Sequence, residues 1–282
     1  MNKLKALIDV TKPKQTFLLM VTFFVAYFIA AKHLNLRFIL AAVATFLAIS
    51  GTTALNMWLD RDLDALMSRT KNRPLPRGIL SPLECAIYGF SLFIVGIIIG
   101  VLIGLEFVLV LTLGLFFDIV IYTILLKRKS PYSIVLGGFA GAMPALAGWV
   151  AAAGFSILGL IIAGIVLLWI PSHIWYISMY YEEDYRKAGI PMYPLVVGME
   201  KASWAIVFAV ALMLILVAAL YVLMPLSILY LMISASITFF FLYKAIRFAV
   251  KPEREKARNM YKLASITLAT IYMSLLVGCV LP

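Results

Sequence analysis

The sequence contains little charge and little cysteine, and both shortages exclude classes of protein. Only 13% of its 282 residues are charged, while 64% are hydrophobic and the mean hydropathy is +1.05. A soluble domain carries about 25% charged residues, so a soluble enzyme or binding module is excluded. The two cysteines, Cys85 and Cys279, lie near opposite ends of predicted membrane helices. They therefore cannot pair with each other, and we interpret both as reduced packing residues.

Long apolar runs are the main feature that is present. Runs close to the roughly 20 residues that cross a bilayer lie at 15–31, 38–58, 83–104, 106–126, 133–153, 156–180, 202–224, 226–249 and 263–281. They predict an all-α polytopic membrane protein with nine transmembrane helices, forming one integral membrane domain over residues 1–282. We expect no cleaved signal segment, because the first run is too long and basic residues directly precede it.

Acidic residues are scarce, with 13 Asp and Glu against 24 Lys and Arg, and the net charge is +11. The basic residues flank the apolar runs instead of forming one patch, which argues against a nucleic-acid partner. With nine crossings, all of them except Lys32 and Arg37 fall on one face. The positive-inside rule makes that face cytoplasmic. We therefore expect a multi-pass protein of the cell membrane with a cytoplasmic amino terminus and a site at the cytoplasmic side.

The two halves of the chain share a pattern of charge. The second and sixth apolar runs each end in an acidic segment, and the fourth and eighth each end in a tyrosine followed by basic residues. This pattern predicts two four-helix pseudo-repeats, at about 10–130 and 131–250, and a ninth helix at 263–281. Two such units facing each other would place both acidic segments over one central cavity.

The first acidic segment reads Asn-Met-Trp-Leu-Asp-Arg-Asp-Leu-Asp over residues 56–64. Asn56, Asp60 and Asp64 recur at every fourth residue and therefore share one helical face. Carboxylates this close together at a membrane rim repel each other. A divalent cation such as Mg²⁺, which prefers oxygen ligands, would offset that repulsion.

Basic residues follow the first acidic segment. Arg69, Lys71 and Arg73 are suited to phosphate oxygens, with which Arg and Lys form charge-assisted hydrogen bonds. Asp62 points away from the shared face, and we expect it to meet Arg61, Arg69 or a second cation. The alternative interpretation of the whole region is a solvated helix end held by salt bridges.

The second acidic segment, at 182–184, has less regular spacing. Asp184 is the better metal-ligand candidate and Glu183 the second, while a charged loop beside the membrane is the alternative. His173 lies eleven residues before Asp184, so on a continuous helix it shares that face about 16 Å deeper in the membrane. Such a histidine could ligate haem iron, shuttle a proton, stabilise a cation or be a satisfied core residue.

The fourth apolar run and its end supply further polar groups. Asp118 is a carboxylate within the predicted membrane segment, where such groups by default mark a cavity. Tyr122 follows one turn later, and Lys127 and Arg128 lie at the rim, within reach of diphosphate oxygens. With Mg²⁺, these groups suit the ionisation of an allylic diphosphate, whose cation a dry cavity with aromatic walls protects from water.

These motifs resemble those of the UbiA superfamily of intramembrane prenyltransferases, and most closely those of its protohaem IX farnesyltransferases. The resemblance covers essentially the whole chain and opens with Thr-Lys-Pro at 11–13. It continues through the first acidic segment and Arg-Thr-Lys-Asn-Arg-Pro at 69–74. It closes with Pro-Ser-His at 171–173 and the stretch at 183–192. Quinone-directed relatives usually show Asn-Asp in the first motif and Asp-x3-Asp in the second, and this chain has neither.

The resemblance implies transfer of farnesyl from farnesyl diphosphate to a vinyl carbon of haem B, with addition of water and release of diphosphate, to give haem O. It implies that Asn56, Asp60 and Asp64 hold magnesium diphosphate together with Asp184, and that His173 faces the haem. The diphosphate ligands that it implies are Arg69, Lys71, Arg73, Lys127, Arg128 and Tyr122. The product would pass through the membrane lipid to a haem A synthase or to terminal oxidase assembly. Asp118 departs from the family, which leads us to expect a tyrosine or an apolar residue there.

Two other functions fit parts of the sequence. One is prenyl transfer to an aromatic quinone precursor or to a lipid. The other is a transporter or channel with paired acidic segments. Against the transporter, the charged residues cluster at one rim, whereas transporter sites usually lie near the membrane midplane.

Overall fold

The structure is a computed structural model that describes residues 2–281, and all regular secondary structure within them is helical. The helices are, in chain order, α1 (Lys3–Val10), α2 (Pro13–Ala31), α3 (Leu36–Leu59), α4 (Arg61–Leu66), α5 (Pro82–Val101), α6 (Leu105–Leu126), α7 (Ser133–Ala153), α8 (Ile157–Tyr180), α9 (Glu182–Lys187), α10 (Tyr193–Val197), α11 (Met199–Leu223), α12 (Ile228–Val250) and α13 (Arg254–Val280). In this part of the chain, nine helices are long and apolar enough to cross a membrane. The predicted all-α polytopic fold is confirmed.

The final helix begins earlier than the sequence predicts. α13 starts at Arg254, whereas the apolar run starts at residue 263, so the predicted boundary was wrong. The intervening segment is rich in Lys, Arg and Glu, which are good helix formers, and its Ala257 and Met260 are buried against the core. Hydropathy detects only the part of a helix that lies in lipid, and so underestimates a helix that extends beyond the membrane.

α3 and α5 pack more closely than ordinary side chains allow. A Cβ added at Gly51 would lie 2.6 Å from the carbonyl oxygen of Gly89 and 2.6 Å from the amide nitrogen of Phe93. Small residues let membrane helices approach in this way, because lipid tails are as apolar as the helices and close packing must supply the attraction. The contact fixes α3, whose last turn leads into the first acidic segment.

The second half of α6, Phe116–Leu126, is wound as a π-helix. The hydroxyl of Thr123 donates to the carbonyl oxygen of Asp118 at 2.7 Å, and the amide of Lys127 donates to the carbonyl oxygen of Tyr122 at 2.7 Å. Each of these bonds spans five residues. π-Helical turns are rare and occur frequently at functional sites. Here the winding lets Asp118, Tyr122 and Lys127 line the same cavity.

Both acidic segments follow the same local design. α3 ends at Leu59 and the short α4 begins at Arg61, while α8 ends at Tyr180 and the short α9 begins at Glu182. Each segment therefore lies at a break between a membrane helix and a short rim helix. The two four-helix pseudo-repeats to which this symmetry belongs stay a prediction.

Candidate active site

A cavity of about 570 Å³ lies between α2, α3, α6, α7 and α8. Charged residues from the ends of these helices and from the loop after α4 line one part of its wall. Apolar and aromatic residues from the helix interiors line the rest, among them Leu111, Met143, Pro144, Trp169 and Ile170. One continuous space thus joins an ionic region to an apolar one, as a ligand with a charged head and a greasy tail requires.

The three residues predicted to share a face all line this cavity. Asn56, Asp60 and Asp64 are 7%, 2% and 4% exposed. Although α3 ends before Asp60, the helical hydrogen bonds continue through the break. The amide of Asp60 donates to the carbonyl of Asn56 at 3.0 Å, and the amide of Asp64 donates to that of Asp60 at 2.8 Å. The predicted alignment therefore holds across the helix end.

Two cations on the cavity wall neutralise the two buried carboxylates. The ammonium of Lys127 donates to Oδ2 of Asp60, and one guanidinium nitrogen of Arg73 donates to both oxygens of Asp64 at 2.7 Å. Burial acts to lower the pKa of Lys127, but the neighbouring Tyr122 and Asp60 act in the opposite direction, and the pKa is raised. Lys127 therefore stays positively charged within the wall.

Lys12 is a member of the site that the sequence did not predict, although Thr-Lys-Pro at 11–13 belongs to the family resemblance. Its ammonium donates to Oδ1 of Asn56 at 3.1 Å. Its backbone adopts a left-handed conformation with φ of 46°, which is uncommon for residues other than glycine. Burial, and then the charge of Arg73, lowers the pKa of Lys12 to about 8. The available signal was a lysine directly before Pro13, at the start of a membrane helix.

The oxygens on this wall fit Mg²⁺. Oδ1 of Asp60 is buried and has no hydrogen-bond partner among residues 2–281, which is unusual because buried polar atoms are nearly always bonded. Over the same residues, no three acidic, histidine or cysteine side chains are grouped as a protein-only metal cage. Mg²⁺ usually takes one or two carboxylates and completes its octahedron with water and substrate phosphate. The site therefore suits a magnesium ion that is held jointly by protein and diphosphate.

Arg69 connects the cavity to the second acidic segment. Its side chain lines the cavity and donates to the hydroxyl of Tyr185 at 3.2 Å. The guanidinium carbon lies 5.7 Å and 5.8 Å from the ring centroids of Tyr181 and Tyr185, within the range of cation–π attraction. The sequence predicted Arg69 as a phosphate ligand but not this aromatic support.

Asp184 is buried, but it binds the loop after α4 and is not on the cavity wall. Its carboxylate accepts hydrogen bonds from the amide of Ser68 at 3.0 Å, the hydroxyl of Ser68 at 2.8 Å and the amide of Arg69 at 3.3 Å. Burial acts to raise the pKa of Asp184, but these hydrogen bonds outweigh it and the pKa is lowered. The second acidic segment therefore meets the loop that follows the first one.

Three other predicted site residues lie away from the cavity wall. Arg128 donates to the two carboxylate oxygens of Asp62 at 2.6 and 2.7 Å. This ion pair corrects the expectation that Asp62 meets Arg61, Arg69 or a second cation. Glu183 accepts from Arg254 at 2.9 Å on the outer surface, and Lys71 is exposed.

Tyr122 and Asp118 lie within the cavity wall, as the sequence predicted for an intramembrane carboxylate. The ammonium of Lys127 lies 5.3 Å from the ring centroid of Tyr122. Gly137 in α7 makes room for this ring, since a Cβ there would lie 2.8 Å from the Cβ of Tyr122. The ring of Tyr122 is therefore held between the ammonium of Lys127 and α7.

His173 also lines the cavity. Its ring stacks on that of Trp169, with centroids 4.6 Å apart and planes at 19°. Its Nδ1 lies 3.2 Å from the hydroxyl of Ser265 and 3.4 Å from the carbonyl oxygen of Tyr261, both on α13. His33, to which the sequence assigned no role, contacts Asn35 at 3.2 Å.

Comparisons with known proteins agree on one family. A model of the UbiA prenyltransferase family matches residues 19–266. The chain is 69% identical over 278 residues to a protoheme IX farnesyltransferase of Archaeoglobus fulgidus, with 99% of each chain covered. Among solved structures, it is similar to one described as digeranylgeranylglyceryl phosphate synthase in membranes, with a TM-score of 0.85, 22% identity and 99% of each chain covered. It is also similar to a UbiA homolog from Archaeoglobus fulgidus bound to GPP and Mg²⁺, with a TM-score of 0.71, 15% identity and coverage of 96% of this chain and 99% of that one.

Proposed function

The chain belongs to the UbiA prenyltransferase family, and we propose that it transfers the farnesyl group of farnesyl diphosphate to a vinyl group of haem B, which gives haem O and releases diphosphate. The observation that carries the proposal is one cavity that joins the buried oxygens of Asn56 and Asp60 to basic side chains and to the imidazole of His173. Identity of 69% with a protoheme IX farnesyltransferase, over nearly the full length of both chains, supports haem as the acceptor.

Binding of the diphosphate exchanges partners at the rim. Lys127 and Arg73, which now donate to Asp60 and Asp64, transfer their hydrogen bonds to phosphate oxygens. The two carboxylates and Asn56 are the residues that would then hold Mg²⁺. When bound, Mg²⁺ supplies positive charge that stabilises the leaving diphosphate.

Further positive charge comes from Arg69 and from Lys12, and Lys12 gives up its hydrogen bond to Oδ1 of Asn56 in the same exchange. Arg69 and Lys12 line the cavity and add charge-assisted hydrogen bonds to the diphosphate. Asp184 contributes indirectly, by holding the backbone of Ser68 and Arg69 in place. Lys71 and Arg128 lie at the periphery, where they add to the positive potential that attracts the anion.

The reaction begins when the bond between C1 of the farnesyl group and the diphosphate oxygen breaks, with the electron pair leaving on oxygen. The preorganised cations stabilise that charge. C1 then bonds to the terminal vinyl carbon of haem B, and water adds to the neighbouring carbon with loss of a proton. The apolar wall keeps bulk water from the allylic cation, and the ring face of Tyr122 stabilises it.

The distribution of basic residues supports a cytoplasmic site in the cell membrane. Apart from Lys32 and Arg37, every Lys and Arg lies on the face that carries the cavity's ionic end. The positive-inside rule makes this face cytoplasmic, with the amino terminus on the same side. Haem O released from the cavity then enters the lipid and passes to a haem A synthase or to terminal oxidase assembly.

Incubation of the purified protein with Mg²⁺, radiolabelled farnesyl diphosphate and haem B tests the proposal. We expect label in a haem product and release of diphosphate that depends on Mg²⁺. Label only in a quinone precursor or a glycerolipid, offered in parallel, would replace haem as the acceptor. Absence of diphosphate release under all conditions would contradict prenyl transfer and favour a transporter.

A further inference from the structure

The hydrogen-bond contacts around His173 favour one tautomer of its ring. The hydroxyl of Ser265 donates to the carbonyl oxygen of Tyr261 at 3.0 Å, so its oxygen is left to accept. Nδ1 of His173 faces this hydroxyl oxygen at 3.2 Å and the same carbonyl at 3.4 Å. The carbonyl oxygen can only accept, so these contacts favour the tautomer that carries its proton on Nδ1 and leaves Nε2 as the acceptor nitrogen of the ring.

The ring is also fixed in orientation. Trp169 lies almost parallel to it, and the indole nitrogen of Trp169 donates to the carbonyl oxygen of Ala264 at 2.7 Å. The ring of Tyr261 stands at 90° to the imidazole, with centroids 6.1 Å apart. Two helices, α8 and α13, therefore clamp one histidine that lines the cavity.

A histidine held in this way has the features of a metal ligand. Metal-binding histidines almost always donate the second ring N–H to a carbonyl, carboxylate or other acceptor, which selects the tautomer and raises the basicity of the ligating nitrogen. Haem iron commonly takes such an imidazole as its axial ligand. Asp60 and His173 line the same cavity. An iron bound to His173 and a prenyl diphosphate bound near Asp60 would therefore share one space.

We propose that Nε2 of His173 is an axial ligand to the iron of haem B, and that Ser265 and the carbonyl group of Tyr261 are positioning groups that keep it in the ligating tautomer. The inference rests on the proposed function, because it needs haem in the cavity. Ligation sets the porphyrin plane perpendicular to the Fe–Nε2 bond. It therefore restricts which edge of the macrocycle, and which vinyl group, can reach the farnesyl C1.

Pulsed EPR of the ferric haem complex tests the ligand directly. Protein whose histidines alone carry ¹⁵N is purified, loaded with haem B and examined for ¹⁵N coupling to the unpaired electron. We expect coupling in the wild type and in His33→Ala, the matched control for the second histidine of the chain. Coupling should vanish in both His173→Ala and His173→Gln. Ser265→Ala should retain the coupling and bind haem about 10-fold more weakly, as is typical when an outer hydrogen bond to a metal ligand is lost.

Each result decides the matter. Haem bound to the wild type without ¹⁵N coupling, coupling that persists in His173→Ala, or no haem binding at all would overturn the inference. The wild-type spectrum needs no variant, so misfolding of a mutant cannot obscure the answer. If farnesyl is transferred to haem but no histidine coupling is seen, His173 is not an iron ligand and the proposed function stands. If coupling is seen without farnesyl transfer, His173 ligates the iron and the proposed function is wrong.

Discussion

The two acidic segments look alike in sequence but differ in what their carboxylates contact. In the first segment, Asp60 and Asp64 are 2% and 4% exposed and face a cavity beside side-chain cations. In the second, Asp184 is also buried at 5% exposure, but its partners are the backbone and hydroxyl of one loop. Glu182 and Glu183 pair with arginines at the surface.

The difference shows that burial alone does not identify a reactive carboxylate. Both carboxylate oxygens of Asp184 already accept hydrogen bonds from Ser68 and Arg69. Asp60, in contrast, keeps one buried oxygen that has no partner in the described part of the chain, and it binds a lysine that a phosphate can attract. Such an arrangement is costly for the apo protein. Under the proposed function, Asp60 therefore acts on the ligand, whereas Asp184 supports the loop after α4.

Asp60→Asn should have the largest effect. We expect kcat to fall by at least about 100-fold, because the amide lowers the negative charge that holds magnesium diphosphate in the transition state. The protein should still fold, since the amide matches the carboxylate in shape. Steady-state kinetics with Mg²⁺ titration would measure the loss, with Asp62→Asn, an exposed neighbour paired to Arg128, as the control. Equal activity of Asp60→Asn and Asp62→Asn would contradict the assignment of Asp60 to the magnesium site.

Asp184→Asn should have an intermediate effect that appears in binding. The amide offers one acceptor oxygen to the three donors of Ser68 and Arg69, so at least one buried donor is left weakly paired, at a cost of about 1–3 kcal/mol. We expect faster hydrogen exchange in the loop at 68–73 and a KM for farnesyl diphosphate that is about 10-fold higher, with a smaller change in kcat. A loss of Mg²⁺ dependence as deep as that in Asp60→Asn would instead make Asp184 a direct ligand.

The charge of Lys12 gives a smaller, pH-dependent effect. With a pKa of about 8, Lys12 is protonated below that pH and loses its positive charge as the pH rises through it. Affinity for the diphosphate should therefore weaken between about pH 7 and pH 9, by up to roughly 10-fold in KM, since one pKa unit corresponds to a factor of ten. Lys12→Met lacks the charge at every pH, so its KM should stay at the value that the wild type reaches at high pH. Lys5→Met, which replaces an exposed lysine of α1, is the control. A parallel pH profile in Lys12→Met and wild type would refute the assignment.

Glu183→Gln should have the smallest effect of the series. Its partner Arg254 is exposed, and surface ion pairs contribute about 0–1 kcal/mol. We expect kcat/KM within about 2-fold of wild type and an unchanged requirement for Mg²⁺. Arg254→Gln is the matched variant for the other half of the pair. A strong loss of kcat/KM in Glu183→Gln but not in Arg254→Gln would make Glu183 a metal ligand. It would also remove the difference between the two acidic segments.

Much of the fold could be predicted from the sequence, because a helix that crosses the membrane needs a minimum length and a high hydropathy. The alignment of Asn56, Asp60 and Asp64 was equally accessible, since it depends on helical spacing within nine residues. The partners of charged residues were not. Whether Arg128 meets a phosphate or Asp62 depends on how α6 approaches α4, and its π-helical winding has no signature in the periodicity of apolar residues.

Contacts between distant parts of the chain account for the other surprises. Lys12 enters the site because α2 starts beside the end of α3, where its ammonium donates to Asn56. Asp184 binds a loop 116 residues away, and only the assembled fold decides whether a buried carboxylate faces a cavity or a backbone. Sequence spacing identifies which residues share a face, but not what stands opposite that face.

The clamp on His173 has a consequence for how the protein is made. Both acceptors for Nδ1 belong to α13, which leaves the ribosome after every helix that walls the cavity. A nascent chain that lacks this helix already contains the carboxylates and cations of the cavity, but it lacks both partners of Nδ1. The contacts that orient Nδ1 of His173 therefore form only after the last helix has inserted.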